Sequence, residues 1–465
     1  SLHKHYQSEI KKEFTVITDT KMTDYFLLDY EIVKKGIEKG GKITGGGRGS
    51  SVSYFINTLL GFCKIDRITA KVKMFPSRFM SKSRILETKS LPDLDLNLSA
   101  QEPFYAAQKE LLGEYNSYPM IAYGTFKKKS AFKMYAKVSD IDFTTSNAVA
   151  QQIEQYEKAM AHADDDEKDL IMLEDYIDKQ YWELYKNSEV YQGIISSLSP
   201  HPCAYLIYDK DIREEIGLIR VKSESTKKNV MACLMDGRSA ERYKFLKNDL
   251  LKVDVVDFLH KIADKTGISL MSEKDLILST IHDKKTWKIY ENGYTLGVNQ
   301  VEKENTRQKV MRYKPQSIEE LCAFIAAIRP SFSSMYNIFE SREHFEYGIP
   351  SFDKLIQSTG LDSSFMLYQE TIMAVLSFAG FPEDETYSII KWISKKQEEK
   401  IKQIKPRFVK NLVKIFIDND GMTEKSAKES CEKVWKIIED SSRYGFNASH
   451  SYSYAYDSLM SAYYK

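Results

Sequence analysis

The sequence is poor in cysteine and has no paired cysteine motif. Its five cysteines are Cys63, Cys203, Cys233, Cys322 and Cys431, and no two of them have a Cys-x-x-Cys spacing. This scatter argues against both a zinc site and a disulfide framework, and it fits a reducing cytoplasm.

Long apolar runs are also missing. No stretch approaches the ~20 apolar residues that a membrane-spanning helix needs. The amino-terminal residues 1–5 lack the apolar core of a signal peptide and a starting Met, and the helical segment 451–465 ends without a stop signal. We therefore expect a trimmed fragment or a compact form of a longer protein, with two or three domains in its 465 residues.

The charge is nearly balanced overall but uneven along the chain. The formal net charge is +1, which is low for a nucleic-acid-binding protein. Residues 151–200 nevertheless carry four basic and twelve acidic side chains, and residues 391–414 carry nine basic and two acidic ones. This asymmetry suits a protein with one face on a polyanion, although Lys-rich helices are also often plain solvated surface.

The order of the apolar patterns predicts an α+β fold. A mixed region is followed by a mainly helical stretch from about residue 101 to 195, after which short strand-like runs return. Helices dominate again beyond about residue 270. Two α/β parts separated by helices predict one discontinuous sheet domain.

Three aspartates are candidate metal ligands. Asp93 and Asp95 lie in the alternating run 91–98, and on a strand they would point to the same face. Asp254 lies in the apolar run 250–256, where we expect another strand and a buried carboxylate that needs a partner. Such carboxylates suit Mg²⁺, whereas a solvated strand edge would explain Asp93 and Asp95 without any metal.

A glycine-rich turn at residues 45–51 is a candidate anion site. Its spacing is not that of a P-loop or of a dinucleotide-binding fingerprint. Bare backbone N–H groups before a helix, together with Arg48, Ser50 and Ser51, could still bind phosphate. A purely structural loop is the alternative.

The turn and the three acids together have the layout of polymerase-beta-like nucleotidyltransferases. The longer motifs resemble one family in particular, the C-family bacterial replicative DNA polymerases, or DNA polymerase III alpha subunits. The segments similar to family motifs follow each other in family order: 45–54 (GGGRGSSVSY), 75–98 with its PDLDLNL end, 123–126 (YGTF), 201–204 (HPCA), 251–259 (LKVDVVDFL), 297–300 (GVNQ), 329–330 (RP), 368–370 (YQE) and 444–450 (YGFNASH).

The resemblance implies a multidomain α+β fold with a polymerase-beta-like palm. The palm would comprise residues 1–100 and 201–268, an inserted helical thumb residues 101–200, and mostly helical fingers residues 269–465. The family's PHP, sliding-clamp-binding, helix-hairpin-helix and OB parts are expected to be absent from this chain.

The resemblance also implies a function, which is template-directed transfer of dNMP from dNTP to a primer 3′-hydroxyl. Asp93, Asp95 and Asp254 would hold two Mg²⁺ ions, for which Mn²⁺ could substitute. The expected dNTP-binding residues are Gly47, Arg48, Gly49, Ser50, Ser51, Lys252, Arg329 and Lys391. The expected DNA-binding residues are Lys127, Lys128, Lys129, Lys395, Lys396, Lys402 and Lys405.

The expected partners are primer–template DNA, dNTPs and, through regions outside this chain, a sliding clamp or replisome proteins. No membrane partner is expected, and the expected location is the cytoplasm of a bacterium, with the gene carried by the bacterium or a phage. Two alternatives stay open: an untemplated nucleotidyltransferase with the same palm, and an inactive DNA-binding relative.

One departure from the family motifs predicts a mutational effect. The family's RRAMGKK helix corresponds here to residues 390–396, with Ile390 and Lys391 in place of two arginines. Since arginine contacts phosphate through two donors at once, we expect Ile390→Arg to lower the apparent KM for dNTP in primer-extension assays.

Overall fold

The computed structural model describes residues 2–86, 91–162, 172–223, 227–329, 332–442 and 445–465, without the side chains of residues 161, 162 and 333. Residues 87–90 of the motif segment 75–98, together with Pro330 and Tyr444, lie outside these ranges. The chain forms two compact units, Ser1–Glu114 with Asn248–Lys465 and Tyr115–Lys247. These boundaries differ from the palm, thumb and fingers boundaries expected from the sequence, and that domain assignment stays a prediction.

The described part of residues 2–114 of the first unit consists of helices and one short strand. A 3-10 helix over Gly49–Ser53 continues directly from the glycine turn. The other elements are α1 (Leu2–Asp19), α2 (Thr23–Glu38), α3 (Phe55–Leu59), α4 (Pro76–Phe79), α5 (Lys82–Leu86), β1 (Asp95–Leu98) and α6 (Glu102–Leu112).

The second unit combines strands and helices. Its elements are β2 (Ser117–Thr125), α7 (Lys128–Val138), α8 (Phe143–His162), α9 (Trp182–Ser188), β3 (Ile195–Ile207), α10 (Ile212–Glu215), β4 (Leu218–Lys222), β5 (Asn229–Cys233) and α11 (Gly237–Tyr243). β2 pairs antiparallel with β3 and parallel with β5, and β5 pairs antiparallel with β4. The expectation of a mainly helical stretch from residue 101 to 195 was therefore wrong at β2, because a short apolar run does not distinguish a strand from a helix.

The chain returns to the first unit through β6 (Leu246–Lys252), which pairs in parallel with β1. Asp95 is opposite Asp249 and Leu98 is opposite Lys252 in this register. Both predicted strands are shifted. β1 begins only at Asp95, and the run expected as a strand through residue 256 turns into a helix at Asp254.

The remainder of the first unit is helical in its described residues. Its helices are α12 (Asp254–Thr266), α13 (Glu273–Thr280), α14 (Lys284–Glu291), α15 (Glu304–Tyr313), α16 (Ile318–Ala327), α17 (Ser333–Ser341), α18 (Pro350–Gln357), α19 (Gln369–Phe378), α20 (Glu383–Ser394), α21 (Glu398–Asp420), α22 (Glu424–Ser442) and α23 (Ala448–Tyr464). The predicted α+β class is confirmed.

Two apolar clusters stabilise this helical part. In one, α22 buries Ala427, Cys431, Val434 and Ile438, which have the spacing of a single helix face, against α20 and α21. The other cluster combines α13 to α17 with α23. Because α23 is buried on nearly all sides, it has no amphipathic pattern that a sequence reading could detect.

No helix among the described residues has the length and apolar composition needed to cross a bilayer.

A buried carboxylate joins α23 to the glycine turn. Asp457 is 1% exposed, and its Oδ1 accepts a hydrogen bond of 2.6 Å from the Thr44 hydroxyl. Its Oδ2 has no hydrogen-bond partner within the described residues. Burial raises the pKa of Asp457 to about 7. The charged form of this carboxylate is therefore disfavoured in the folded protein.

We expect Asp457→Asn to raise the free energy of unfolding at pH 8 and to change it much less at pH 4.5. The folded-state pKa lies above the unfolded value of about 4, so ionisation of Asp457 destabilises the fold as the pH rises towards 7. At about 1.4 kcal/mol per pKa unit, the gain at pH 8 should be about 1–4 kcal/mol. Urea unfolding at both pH values tests this, with the exposed Asp418→Asn as control; equal gains at both pH values would contradict it.

Candidate functional site

The glycine turn lies directly against β1. The backbone N–H of Thr44 donates to the Asn97 carbonyl at 3.1 Å, and Ile43 forms a β-bridge with Leu98. Gly49 has a φ of +63°, and a Cβ added there would lie 2.7 Å from the Asp95 carboxylate. The left-handed φ favours glycine at this position, and any side chain there would crowd the Asp95 carboxylate.

Helix α23 holds the other side of the turn. The hydroxyls of Ser449 and Ser453 donate to the carbonyls of Gly49 and Gly47 at 3.0 and 3.1 Å. The backbone N–H of Gly49 donates to Nδ1 of His450 at 3.0 Å. The turn is thereby fixed on one side by β1, about 50 positions away in the sequence, and on the other by α23, about 400 positions away.

The side chains of the turn, more than its backbone, are available to a ligand. The expected cradle of bare N–H groups is reduced, because the Gly49 N–H is already bonded to His450. Ser51 is buried and donates its hydroxyl to the Arg48 carbonyl at 2.6 Å, whereas the Ser50 hydroxyl has no hydrogen-bond partner within the described residues. Arg48 Nη1 donates to the Tyr454 hydroxyl at 3.0 Å and to Asn97 Oδ1 at 3.3 Å.

Several cations gather beside the turn. Burial and the charges of Arg48, Arg329 and Arg78 lower the pKa of His450 to about 3. Burial and the charges of Arg84, Arg78 and Lys395 lower the pKa of Lys391. We call Arg48, Arg78, Arg84, Arg329 and Lys391 the cation cluster. Three of these residues, Arg48, Arg329 and Lys391, were predicted from the sequence as phosphate-binding residues.

Most of the cation cluster lacks acidic partners. Arg48, Arg78, Arg329 and Lys391 form no salt bridge within the described residues, and the buried Nε of Arg329 has no hydrogen-bond partner there. Aromatic rings contact them instead: Arg78 and Lys391 lie over Tyr387 at 4.1 and 4.8 Å, and Arg329 lies over Phe446 at 4.5 Å. The buried Glu370 acts electrostatically on Arg78, but like charges held together without a salt bridge still favour an anionic ligand.

Arg78 and Arg84 were missed as site residues, although both lie in a segment that resembles the family. A usable signal was present in the composition. The chain has 14 arginines against 53 lysines, yet four of the five residues of the cation cluster are arginine. Where arginine is this rare, an arginine inside a matching motif is a better candidate for phosphate recognition than a lysine.

The structure separates Asp254 from the other two predicted metal ligands. Asp95 is half-buried at the start of β1, and Asp93 is exposed two residues earlier. Asp254 is exposed at the start of α12, five residues beyond Asp249, which is opposite Asp95, a separation of roughly 16 Å at about 3.3 Å per residue. The expected burial was therefore wrong for Asp93 and Asp254, and the role of Asp254 as a third ligand stays a prediction.

The donor set at Asp93 and Asp95 suits magnesium without a third acid. Among the described residues, no three His, Cys, Asp or Glu side chains are grouped closely enough to hold a metal ion. Magnesium is nevertheless usually bound through one or two carboxylates together with waters and substrate phosphates. Asp95 lies beside the glycine turn, so its carboxylate fits a metal ion shared with a phosphate ligand, and Asp93 stays the predicted second carboxylate.

The predicted DNA-binding lysines differ in their surroundings. Lys129 is paired with Glu154 at 2.6 Å, Lys402 with Glu399 at 3.3 Å and Lys405 with Glu432 at 2.8 Å. Lys127, Lys395 and Lys396 are exposed, Lys128 is half-buried, and none of these four has an ion pair within the described residues. Lys252 is exposed at the end of β6 and makes no described contact with the cation cluster.

Two family models match the chain. The model of the bacterial DNA polymerase III alpha NTPase domain matches residues 1–252, and that of the bacterial DNA polymerase III alpha subunit finger domain matches residues 255–415. Among curated relatives, DNA polymerase III subunit alpha of Campylobacter jejuni is 25% identical over 100% of this chain and 38% of its own length. That of Aquifex aeolicus is 24% identical over 99% and 40%, and that of Staphylococcus epidermidis 23% over 99% and 42%. The chain thus spans less than half of each relative.

The position of Ile390 overturns one expectation from the sequence. Ile390 is 2% exposed and packs in the apolar cluster of α20, α21 and α22, so an arginine there would not reach a phosphate. The neighbouring Lys391 occupies the face that carries Tyr387 and joins the cation cluster. The premise of the predicted decrease in KM, that the side chain at position 390 faces the phosphate, was therefore wrong.

We expect Ile390→Arg to destabilise the fold by about 3 kcal/mol or more, because it buries a guanidinium without a partner in an apolar cluster. Ile390→Val should cost only about 1 kcal/mol. Urea unfolding of both variants tests this. A stable Ile390→Arg variant with an improved KM would restore the original expectation.

Proposed function

The chain belongs to the bacterial DNA polymerase III alpha-subunit family, and on that premise we propose that it carries a template-directed DNA polymerase activity. In this proposal a dNMP is transferred from a dNTP to a primer 3′-hydroxyl, with release of pyrophosphate. The observation that carries the proposal is the cation cluster, which lies beside the turn that contacts Asp95 and forms no salt bridge at Arg48, Arg78, Arg329 and Lys391 within the described residues.

The cation cluster is suited to the triphosphate of the nucleotide. Four positive charges without salt bridges match a polyphosphate, and the unbonded Nε of Arg329 supplies a donor that needs an acceptor. Arg48 is oriented by Tyr454 and Asn97, and the Ser50 hydroxyl is available beside it. Lys252 remains a candidate for a phosphate contact on the family motif alone.

Asp93 and Asp95 would hold Mg²⁺ or Mn²⁺ beside the triphosphate, with Asp254 as the proposed third ligand. When bound, the two metal ions would lower the pKa of the primer hydroxyl and neutralise charge on the leaving pyrophosphate. The contact between Gly49 and Asp95 would set the carboxylate and the triphosphate site in a fixed relation, which favours alignment of the reacting groups.

The proposed macromolecular substrate is primer–template DNA. Lys127, Lys128, Lys129, Lys395, Lys396, Lys402 and Lys405 would contact its phosphates, so affinity should fall steeply with salt. The lysines paired with glutamates would have to exchange those partners for phosphate. A sliding clamp or other replisome proteins, bound through regions outside this chain, and a bacterial cytoplasmic location are part of the same proposal.

We expect Asp95→Asn to reduce primer extension by about 100-fold or more, since loss of a metal ligand removes several kcal/mol of transition-state stabilisation at about 1.4 kcal/mol per factor of ten. DNA binding should persist. The control is Asp418→Asn, an exposed position on α21. Asp254→Asn in the same assay tests the third ligand. Loss of activity would support its role, and full activity would leave Asp93 and Asp95 as the only proposed metal ligands. Robust extension by Asp95→Asn would contradict the proposal.

The same assay distinguishes the alternatives. With one dNTP supplied at a time, a template-directed polymerase adds only the base complementary to the template. Addition without regard to the template would favour the untemplated nucleotidyltransferase. A well-folded chain that binds DNA but extends no primer would favour the inactive relative.

We expect Arg329→Gln to raise the KM for dNTP by about 10- to 100-fold, the loss expected for one charge-assisted hydrogen bond. Its half-buried guanidinium forms no salt bridge, so its removal breaks no ion pair within the described residues. Arg312→Gln on the exposed face of α15 is the matched control, because Arg312 is paired with Glu340 at 2.9 Å. Equal KM values for the two variants would argue against a triphosphate contact by Arg329.

A further inference from the structure

His450 has different surroundings at its two ring nitrogens. Nδ1 accepts the backbone N–H of Gly49 at 3.0 Å, so it cannot carry a proton in this arrangement. The neutral ring must then carry its proton on Nε2. Nε2 makes no hydrogen bond within the described residues, which leaves one N–H donor available beside the cation cluster.

The surroundings also keep the ring neutral. Phe446 and Tyr454 flank it, with ring centroids at 5.3 and 4.2 Å. Burial and the charges of Arg48, Arg329 and Arg78 lower its pKa to about 3. Protonation at Nδ1 would in addition set two N–H donors against each other at Gly49. A bound polyphosphate could offset the arginine charges, but it would leave the Gly49 N–H in place.

We propose that His450 acts through both ring nitrogens, with Nδ1 fixing the glycine turn at Gly49 and Nε2–H donating a hydrogen bond to a phosphate oxygen bound among Arg48, Arg78 and Arg329. The identity of the phosphate as that of a dNTP rests on the proposed function. His450 is in this view a neutral hydrogen-bond donor, and it is neither a general acid nor a general base. Its own protonation should therefore be the same at pH 5.5 and pH 8, and a group that ionises nearby in this range is Glu370, whose pKa burial raises to about 7 and which accepts the backbone N–H of Ala448.

Two substitutions separate the roles of the ring nitrogens. In His450→Asn the amide oxygen can replace Nδ1 and keep the Gly49 bond, but the donor to the phosphate is lost. In His450→Gln the amide N–H₂ can replace Nε2–H, but the Gly49 bond is lost. Each variant thus removes one of the two contacts of His450 and keeps the other.

Calorimetric titration with inorganic pyrophosphate and thermal unfolding measure the two effects. We expect His450→Asn to lose about tenfold in pyrophosphate affinity while keeping its melting temperature. His450→Gln should keep more of the affinity and melt at a lower temperature. If affinity followed the melting temperature in both variants, the role of His450 would be purely structural and the proposal would be overturned.

The unsubstituted chain provides a test that does not depend on how the variants fold. In ¹⁵N-histidine-labelled protein, long-range ¹H–¹⁵N spectra report the tautomer and protonation of His450. We expect the Nε2–H tautomer with no titration between pH 5.5 and 8, and a shift at Nε2 when pyrophosphate binds. Titration near pH 6.5, a proton on Nδ1, or no response to pyrophosphate would each overturn the proposal.

The outcome for His450 and the outcome for the proposed function can be told apart. Pyrophosphate binding with the expected His450 spectra, but without primer extension, would support the anion contact and count against a polymerase. Normal primer extension together with a His450 that titrates between pH 5.5 and 8 would support a polymerase and count against the proposed role of His450.

Discussion

The site depends on the close approach of a bare backbone turn to a strand on one side and a helix on the other. A Cβ at Gly49 would lie 2.7 Å from Asp95, and one at Gly46 would lie 2.7 Å from the Ser453 carbonyl and 2.8 Å from Asp457. A side chain at Gly46 would therefore clash with the main chain of α23, and one at Gly49 would displace the Asp95 carboxylate. Because only main-chain atoms fill the gap, residues near positions 48, 95 and 450 meet in one place, and an acid, a cluster of cations and a neutral imidazole become neighbours.

The cation cluster has an energetic cost that the rest of the fold must offset. Burial lowers the pKa of Lys391, and the charges of Arg84 and Arg78 lower it further, as expected for like charges held together. The faces of Tyr387 and Phe446 and the hydrogen bond from Arg78 to Gln369 stabilise these groups in part, without neutralising them. A polyanion bound there would relieve the repulsion, so ligand binding and fold stability should be linked through these side chains.

The sequence predicted the class of fold and part of the site, and the failures have physical causes. The order of motifs led to Arg48, Arg329 and Lys391, which the structure brings together. The strand was predicted to continue to residue 256 because β-branched Val253, Val255 and Val256 are typical of strands. Such residues also occur in a buried turn of helix, and an acid such as Asp254 is favoured in the first turn of a helix.

The expectation that position 390 faces the phosphate was wrong for a related reason. A motif alignment places a residue along a helix, but only the packing of α21 and α22 decides which face is buried.

Helix α23 explains why the site was hard to see in the sequence. A helix buried on all sides is usually apolar, yet α23 carries buried serines and an aspartate. These polar groups have partners in the turn: Ser449 and Ser453, one helical turn apart, bind the carbonyls of Gly49 and Gly47, and Asp457 binds Thr44. The spacing of four residues is the spacing of one helix face. The polar residues of α23 therefore complement the main chain of the turn, and a pattern that looks like poor core packing in the sequence is what positions the candidate site.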